Sequence, residues 1–327
     1  MPRPVAAAPG ASADPSLTRR SAVELSVGGM RALSLMTRVV PHGVASPLVR
    51  FGSTVASAVS PAQRTIVERN LRRVHGEDLE PDRLEAEVRS VFRTYGRYFL
   101  DSLRLRDLTP EQIDRGFSYE GLEHVTDALD SGVAPILALP HLGGWEWAGA
   151  WISQVRGWPV AAVAERLEPP ELFEWFLDYR RSIGLEIIPL GEGAGSEVSA
   201  AIAAGKILCL LCDRDLSGEG IEVEFFGEVT RLPGGPALMA LRSGAPLLPT
   251  AVYFEGDHCH GVVLPPLDTE RRGKLRQDVA RVTQDLAHAL EDLIRRAPDQ
   301  WHLMQPNWPS DYDALGLERP EWARDAG

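Results

Sequence analysis

The chain has 327 residues, of which 44% are hydrophobic and 24% charged, so its composition is that of a globular protein with a sizeable core. The formal net charge of −12 argues against nucleic-acid binding, and the sequence has no apolar run of about 18 residues that would predict a membrane-spanning helix. Three cysteines cannot pair evenly and stand at no metal-ligand spacing, which favours a reducing compartment.

The amino-terminal part of the chain is basic although the whole chain is acidic. Residues 1–76 carry ten arginines and three acidic residues, a net charge of +7, whereas the rest of the chain carries −19. Residues 1–18 are rich in Ala, Pro and Ser, which predicts a disordered tail. Residues 19–59 interleave arginines with apolar residues, which predicts one or two amphipathic helices broken at Pro41 and Pro47.

Two further helices are predicted before residue 100. A Ser60-Pro61 pair is a helix-start signal for residues 61–75, and apolar residues recur at three- and four-residue steps over residues 81–100. We interpret residues 19–100 as a helical layer that associates with an anionic membrane surface. Ordinary packing of a helical layer against the rest of the protein is the alternative.

From residue 118 onward, short apolar runs alternate with helical patterns. Strands are predicted at residues 134–139, 159–164, 186–189, 206–212, 222–226, 247–253 and 259–264, together with helices over residues 144–155, 170–182, 196–204, 235–243 and 275–296. This alternation predicts an α/β fold with a central mixed, mostly parallel sheet flanked by helices. Residues 19–310 are assigned to a single domain with its α/β core at 118–310, and residues 311–327 to a carboxyl-terminal tail.

The segment around His141 is the strongest candidate for chemistry. A buried strand ends at Pro140, and His141 follows at its carboxyl end, the edge where open α/β sheets place their ligands. Gly143 and Gly144 allow a tight turn with close backbone approach, which we expect to fold the Glu146 carboxylate back onto the imidazole. Such a contact would fix the imidazole tautomer and make the ring a general base. Alternatively, the histidine only caps the strand and the glutamate only favours the positive end of a helix.

More acidic residues follow later strands of the same predicted sheet. Asp213 and Asp215 come at the carboxyl end of a strand, where they would support the histidine, hold Arg214 or bind a polyol acceptor. Alternatively, they close the strand as solvated charges. Glu222 and Glu224 alternate along the next strand and therefore share one face, which is either a site face or a solvent face.

Four stretches form one pattern along the chain. They are His141-Leu-Gly-Gly-Trp-Glu146; Glu165-Arg166 with Arg180-Arg181; Cys212-Asp213-Arg214-Asp215-Leu216 with the later Glu222, Glu224 and Pro233-Gly-Gly-Pro236-Ala; and Pro298-Asp-Gln-Trp301-His-Leu. Together they resemble the glycerolipid acyltransferase superfamily, and most of all the bacterial lipid A acyltransferase family with its actinobacterial phosphatidylinositol mannoside acyltransferases. Their order and spacing match from roughly residue 25 to residue 310. Each stretch is weak alone, but the set is specific.

The resemblance implies a reaction at the cytoplasmic face of the cell membrane by a peripheral protein. A mannose hydroxyl of a phosphatidylinositol mannoside would attack the thioester of acyl-CoA, with His141 as general base, Glu146 orienting it, and no covalent acyl-enzyme. Acyl-CoA would be a co-substrate, and neither a cofactor nor a metal is expected. The resemblance also implies a second acidic residue on the histidine, and the sequence leaves Asp213, Asp215 and Glu222 open for that role.

The resemblance also implies that arginines bind phosphate groups, because CoA and the inositol phosphate are both anionic. The candidate phosphate clamps are Arg166, Arg180, Arg181 and Arg231, each of which also suits an ordinary surface position. Glu224 is a further candidate for substrate binding. Trp145 is a candidate wall of an acyl channel, although an aromatic residue there also suits an ordinary core.

Two other functions remain compatible with the sequence. One is an acyltransferase that acts on another glycolipid or on a lysophospholipid. The other is a non-catalytic lipid- or CoA-binding protein that has kept the fold.

Overall fold

A computed structural model describes residues 42–166, 169–216 and 218–324. The predicted tail at 1–18 and the first part of the predicted helical layer, residues 19–41, lie outside these ranges. The described chain begins with three helices, α1 (His42–Val59), α2 (Pro61–His75) and α3 (Pro81–Leu105). The helical nature of this region is confirmed, but Pro47 lies inside α1 and does not break it.

The remaining elements alternate between helix and strand. In chain order they are α4 (Pro110–Arg115), β1 (Phe117–Glu120), α5 (Glu123–Asp130), β2 (Ile136–Leu139), α6 (Trp145–Ala150), a π-helical turn (Trp151–Val155), β3 (Val160–Ala164), α7 (Pro170–Ser182), β4 (Leu185–Pro189), α8 (Ala194–Ala203) and β5 (Ile207–Leu211). They continue with β6 (Ile221–Phe225), β7 (Glu228–Leu232), α9 (Gly235–Ser243), β8 (Leu247–Glu255), β9 (His258–Val263), α10 (Leu275–Arg296), a 3₁₀ turn (Pro298–Gln300), α11 (Pro309–Leu315) and a second 3₁₀ turn (Glu321–Ala323).

Seven strands form one sheet in the order β1-β9-β8-β2-β5-β3-β4. Every neighbouring pair is parallel except β8 and β9, which are antiparallel, so the predicted mixed, mostly parallel sheet is confirmed. Strands β6 and β7 pair with each other as a separate antiparallel ribbon. The sequence patterns missed β1 and β7, and they placed β6 among the strands of the central sheet.

The central strand β2 explains why this sheet forms. All four of its residues are apolar and buried, as expected for a strand covered on both faces. Ile136 and Ala138 belong to a core shared with α8, α9 and α10, whereas Leu137 and Leu139 belong to a second core shared with α6 and α7. The sheet is therefore sandwiched between two helical layers, and its strands end at an edge between them.

The amino-terminal helices α2 and α3 contact the carboxyl-terminal segment that follows α10. On α3, the hydroxyl groups of Ser90 and Thr94 donate to the side chain and the carbonyl of Asp299, and on α2 the Asn70 amide donates to the Leu303 carbonyl. None of the helices in the described part of the chain is long and apolar enough to cross a membrane.

Candidate active site

The strand register brings His141 and Asp213 together at the sheet edge. Strands β2 and β5 are adjacent and parallel, with Leu139 opposite Leu211. His141 and Asp213 each follow two residues later, so they leave the sheet side by side at its carboxyl edge, where open α/β sheets bind ligands. The two residues are 72 positions apart in the chain, and strand pairing alone makes them neighbours.

The Asp213 carboxylate holds both the ring and the backbone of His141. Its Oδ1 lies 2.6 Å from Nδ1 of the imidazole, and its Oδ2 accepts the His141 backbone N–H at 2.9 Å. An ionised carboxylate only accepts hydrogen bonds, so Nδ1 carries the proton and Nε2 presents its lone pair. The His141 side chain is 35% exposed, so this lone pair belongs to a ring that substrate can reach.

Asp213 remains ionised although it is fully buried. Burial by itself raises the pKa of a carboxyl group, but the charge of His141 and the donors around the carboxylate hold the pKa of Asp213 below its usual value. The donors include Nε1 of Trp301, which lies 2.8 Å from Oδ2. The Asp213 backbone is fixed too, because the Asn307 amide donates to its carbonyl at 3.1 Å. The acid is therefore a fixed negative charge aimed at one imidazole nitrogen.

The loop after His141 requires glycine. Gly143 has a φ of +57°, and a Cβ built there would lie 1.8 Å from the Val252 carbonyl oxygen. Its N–H donates to the Gln300 carbonyl, and the His302 N–H donates to the His141 carbonyl at 2.7 Å. The predicted tight turn with close backbone approach is confirmed, and the segment around Trp301 lies antiparallel along it.

Glu146 does not orient His141, so that prediction is wrong. The Glu146 side chain is buried, and Nε of Arg180 donates to its Oε1 at 3.0 Å while the Tyr179 hydroxyl donates to its Oε2 at 3.3 Å. The double glycine does make a tight turn, but the buried guanidinium of Arg180 binds the carboxylate in place of the imidazole. The sequence left Asp213, Asp215 and Glu222 open as the acid that contacts His141. In the structure this acid is Asp213.

Asp215 and Glu222 lie away from His141 in their contacts. The Asp215 carboxylate accepts the Gly220 N–H at 2.8 Å and so shapes the loop after β5. Glu222 and Glu224 share the exposed face of β6, as the alternation predicts, and a role of this face in substrate binding stays a prediction. Arg231 stands opposite Glu222 on β7, donates to the Gly218 carbonyl, and lies over the Trp322 ring.

Of the other candidate arginines, Arg180 binds the buried carboxylate of Glu146. Its guanidinium lies over the Trp145 ring, 5.1 Å from the centroid. Burial lowers the pKa of Arg180, but the charge and hydrogen bond of Glu146, together with the neighbouring Tyr98 and Tyr179, raise it above the usual value. Arg181 is exposed and pairs with Asp178 on its own helix. Arg166 is exposed and donates to the Leu190 carbonyl at the same sheet edge.

An apolar cavity runs beneath α6, directly next to the His141 loop. Its roof is Trp145, Ala148, Gly149 and the π-helical turn, which places the predicted channel residue Trp145 in the cavity wall. Its floor takes side chains from all seven strands of the sheet, among them Phe117, Val263, Val252, Leu139, Cys209, Ala162 and Leu185.

Several site residues were not assigned a role from the sequence. Trp301 was quoted only as part of a motif, yet its indole binds Asp213. The His302 ring is buried beside it, is 3.1 Å from the Thr94 hydroxyl, and has its pKa lowered to about 3 by burial. Tyr179 and Asn307 also contact the site. No local pattern in the sequence indicates these contacts, because each joins segments that are far apart in the chain. Among the described residues, no cluster of histidine, cysteine and acidic side chains is arranged to hold a metal ion.

Comparison of the sequence with known proteins finds a matching family and several relatives. The sequence profile of the family described as bacterial lipid A biosynthesis acyltransferase matches residues 16–310. A protein of Mycolicibacterium smegmatis named phosphatidylinositol mannoside acyltransferase is 37% identical over 281 residues, which cover 84% of this chain and 89% of that protein. A protein of the same name from Mycobacterium tuberculosis is 42% identical over 225 residues, covering 67% of this chain and 69% of that protein.

Proposed function

The chain belongs to the bacterial lipid A biosynthesis acyltransferase family and is an acyltransferase, and from that premise we propose that it moves a long-chain acyl group from acyl-CoA to a mannose hydroxyl of a phosphatidylinositol mannoside. The observation that carries the catalytic part is the contact between the exposed His141 ring and the buried Asp213 carboxylate. The names of the two mycobacterial relatives support the acceptor.

The proposed chemistry needs one base and no covalent enzyme intermediate. The acceptor hydroxyl gives its proton to Nε2 of His141 while its oxygen forms a bond to the thioester carbonyl carbon. The tetrahedral intermediate then collapses, the C–S bond breaks, and the CoA thiolate takes the proton back from the imidazolium, giving ester and free thiol. Asp213 favours the imidazolium that forms in between and keeps Nε2 aimed at the hydroxyl.

The cavity beneath α6 supports a fatty acyl donor. Its lining is apolar on both the helical side and the sheet side, which suits the hydrocarbon chain of an acyl donor and not its charged CoA part. Trp145 lies in the cavity wall, and it directly follows the loop that runs from His141 to Gly144. In this proposal the apolar chain lies across the strands and the thioester reaches His141.

An exposed apolar stripe on α1 supports association with a membrane surface. Leu48, Phe51, Val55 and Val59 recur at three- and four-residue steps and are 56%, 73%, 45% and 69% exposed. We propose that this stripe enters the lipid interface and so brings the site to a lipid acceptor. Arg64, Arg69 and Arg73 on α2 are already paired with acidic side chains, so the apolar contact carries more of this binding than their charges do.

The catalytic proposal is tested with His141→Ala. We expect acyl transfer from a long-chain acyl-CoA to fall by about 10²- to 10⁴-fold, the usual contribution of a general base. The matched control is His258→Ala, which removes an exposed histidine at the start of β9 and should leave the rate unchanged. Wild-type turnover by His141→Ala would refute the base and would favour a binding protein or a different mechanism.

The acceptor is tested with a panel of lipids read by mass spectrometry. Mannosylated phosphatidylinositols should be acylated, whereas unmannosylated phosphatidylinositol should not. Equal or faster acylation of a lysophospholipid or of another glycolipid would overturn the mannoside proposal and leave the acyltransferase standing.

Membrane binding is tested with Phe51→Ser in sedimentation with anionic vesicles. We expect binding to weaken, because burying one large apolar side chain is worth about 1.5–3 kcal/mol. Leu317→Ser is the control, since Leu317 is 52% exposed but lies outside α1. Equal binding by both variants would contradict the role of the stripe. Raised salt should weaken only the electrostatic contribution to vesicle binding, not the contribution of the apolar stripe.

A further inference from the structure

We propose that Trp301 is a positioning residue that controls how strongly Asp213 binds His141. This inference rests on the proposed function, in which Asp213 orients the general base. Trp301 comes from the carboxyl-terminal segment, 88 positions after Asp213, and reaches the carboxylate through a single N–H group. It touches neither the imidazole nitrogen that takes the proton nor the cavity, so its action on the reaction passes through Asp213.

The hydrogen bonds on Asp213 divide its two oxygens between two tasks. Oδ2 accepts two N–H groups, one from the Trp301 indole at 2.8 Å and one from the His141 backbone at 2.9 Å. Oδ1 accepts the imidazole Nδ1–H at 2.6 Å. Two fixed donors on one oxygen prevent the carboxylate from rotating, so the other oxygen stays aimed at the ring.

The same indole N–H draws negative charge away from the oxygen that faces the imidazole. Without it, the buried carboxylate would be a stronger acceptor and would hold the imidazolium more tightly, so the base would lose its proton less readily. Besides the histidine and the acid themselves, the titratable groups of the described residues that face this pair are the Cys212 thiol and the His302 ring. Burial raises the pKa of Cys212 and lowers that of His302, so both groups stay neutral around pH 7. The hydrogen bond from Trp301 is therefore the contact that adjusts how strongly Asp213 holds the imidazolium.

The indole is held in place by a strained turn, which is a second observation in favour of a positioning role. Phe226 is the residue other than glycine with a positive φ, 51°, among the described positions, and it forms the tip of the β6–β7 hairpin with Gly227. A bulky residue in this conformation is strained and persists only where the surrounding packing holds it. The turn places the Phe226 ring 5.6 Å from Trp301, and its N–H is held by the Glu291 carboxylate at 2.6 Å. Glycine would relieve the strain but would remove this support.

A purely structural role for Trp301 is the competing explanation, since the indole is buried in an aromatic cluster. Trp308 in the same cluster provides a matched control, because it is also buried and its indole N–H donates to the Phe225 carbonyl at 3.2 Å and not to Asp213. Trp301→Phe and Trp308→Phe therefore each delete one indole N–H and keep an aromatic ring in the same cluster.

The experiment measures kcat/KM for acyl transfer against pH in both variants. For Trp301→Phe we expect a loss of about 10- to 100-fold, as for one hydrogen bond to a charged group, and an acid limb moved to higher pH by up to about one unit. For Trp308→Phe the limb should stay where it is in the wild type. An acid limb at the wild-type pH in Trp301→Phe, or the same shift in both variants, would overturn the proposal.

A double variant separates failure of this inference from failure of the proposed function. If Trp301 acts through the Asp213 charge, Trp301→Phe should cost no more than about two-fold when it is added to Asp213→Asn. Full additivity of the two losses would show that Trp301 acts independently of Asp213 and would overturn the inference alone. If Asp213→Asn itself transfers acyl groups at the wild-type rate, the proposed mechanism fails first.

Discussion

Replacing Glu146 with glutamine separates a structural role for this carboxylate from a catalytic one. The substitution keeps the size and one acceptor oxygen but removes the charge, which leaves the Arg180 guanidinium without its counter-ion. Only 2% of the Glu146 side chain and 16% of the Arg180 side chain are exposed, so water cannot replace the lost partner. Breaking a buried ion pair from one side costs about 3–5 kcal/mol, and the amide oxygen should keep the loss near the lower value.

The assay is urea denaturation followed by circular dichroism, with the midpoint and slope read separately. Thermal unfolding measures the same loss in a second way. With an unfolding entropy of about 2.1 cal/mol/K per residue, a loss of about 3 kcal/mol in the free energy of unfolding lowers the melting temperature of this chain by about 4 °C. Glu120→Gln is the control, because its pair with Arg296 is half exposed and should be worth less than about 1 kcal/mol.

The pH profile of Glu146→Gln completes this test. Because Asp213 and not Glu146 binds the imidazole, the acid limb of kcat/KM should stay at the wild-type pH. Unchanged stability together with a displaced acid limb would refute the reasoning and would return Glu146 to the histidine.

Three further changes have expected outcomes. The pKa of His302 is about 3 in the folded protein and 6.5 in the unfolded chain, so the unfolded state binds more protons between these pH values. The free energy of unfolding should therefore fall by about 2 kcal/mol from pH 7 to pH 5, and His302→Asn should remove this pH dependence in urea titrations. Gly143→Ala should cost more than about 2 kcal/mol in the same assay, whereas Gly132→Ala, also at positive φ but with open space around its Cβ, should cost about 1. Gly149→Leu, whose Cβ would lie 3.0 Å from Leu185, should fill the cavity and lower turnover of long-chain relative to short-chain acyl-CoA; unchanged chain-length preference would contradict the donor pocket.

The fold class could be predicted from sequence because its signals are local. Helix α2 and the helix at residues 170–182 start at proline residues and end where their apolar period ends, so their bounds agree with the predicted ones. The short strand β1 has one half-buried residue followed by three exposed ones, and it therefore gave no apolar run to detect. The order of strands in the sheet is set by tertiary packing, which local patterns do not encode.

The same limit applies to the candidate site. The sequence placed His141 and Asp213 at the ends of two strands, but their contact depends on β2 lying beside β5 in a register that aligns Leu139 with Leu211. Glu146 was paired with the nearest histidine in the chain, whereas in the structure Arg180, 34 positions away, donates to its carboxylate. Trp301 reaches Asp213 from a distant segment, and no local pattern indicates that contact.

The rate of acyl transfer by Asp213→Asn is the most direct test of the account. Asparagine keeps the shape but places no negative charge on Nδ1 of His141, so the ring loses its tautomer and the support for its imidazolium. With a folded protein confirmed by circular dichroism, we predict that kcat falls by about 10²- to 10⁴-fold. A folded Asp213→Asn protein that transfers acyl groups as fast as the wild type would contradict the pairing on which the mechanism depends.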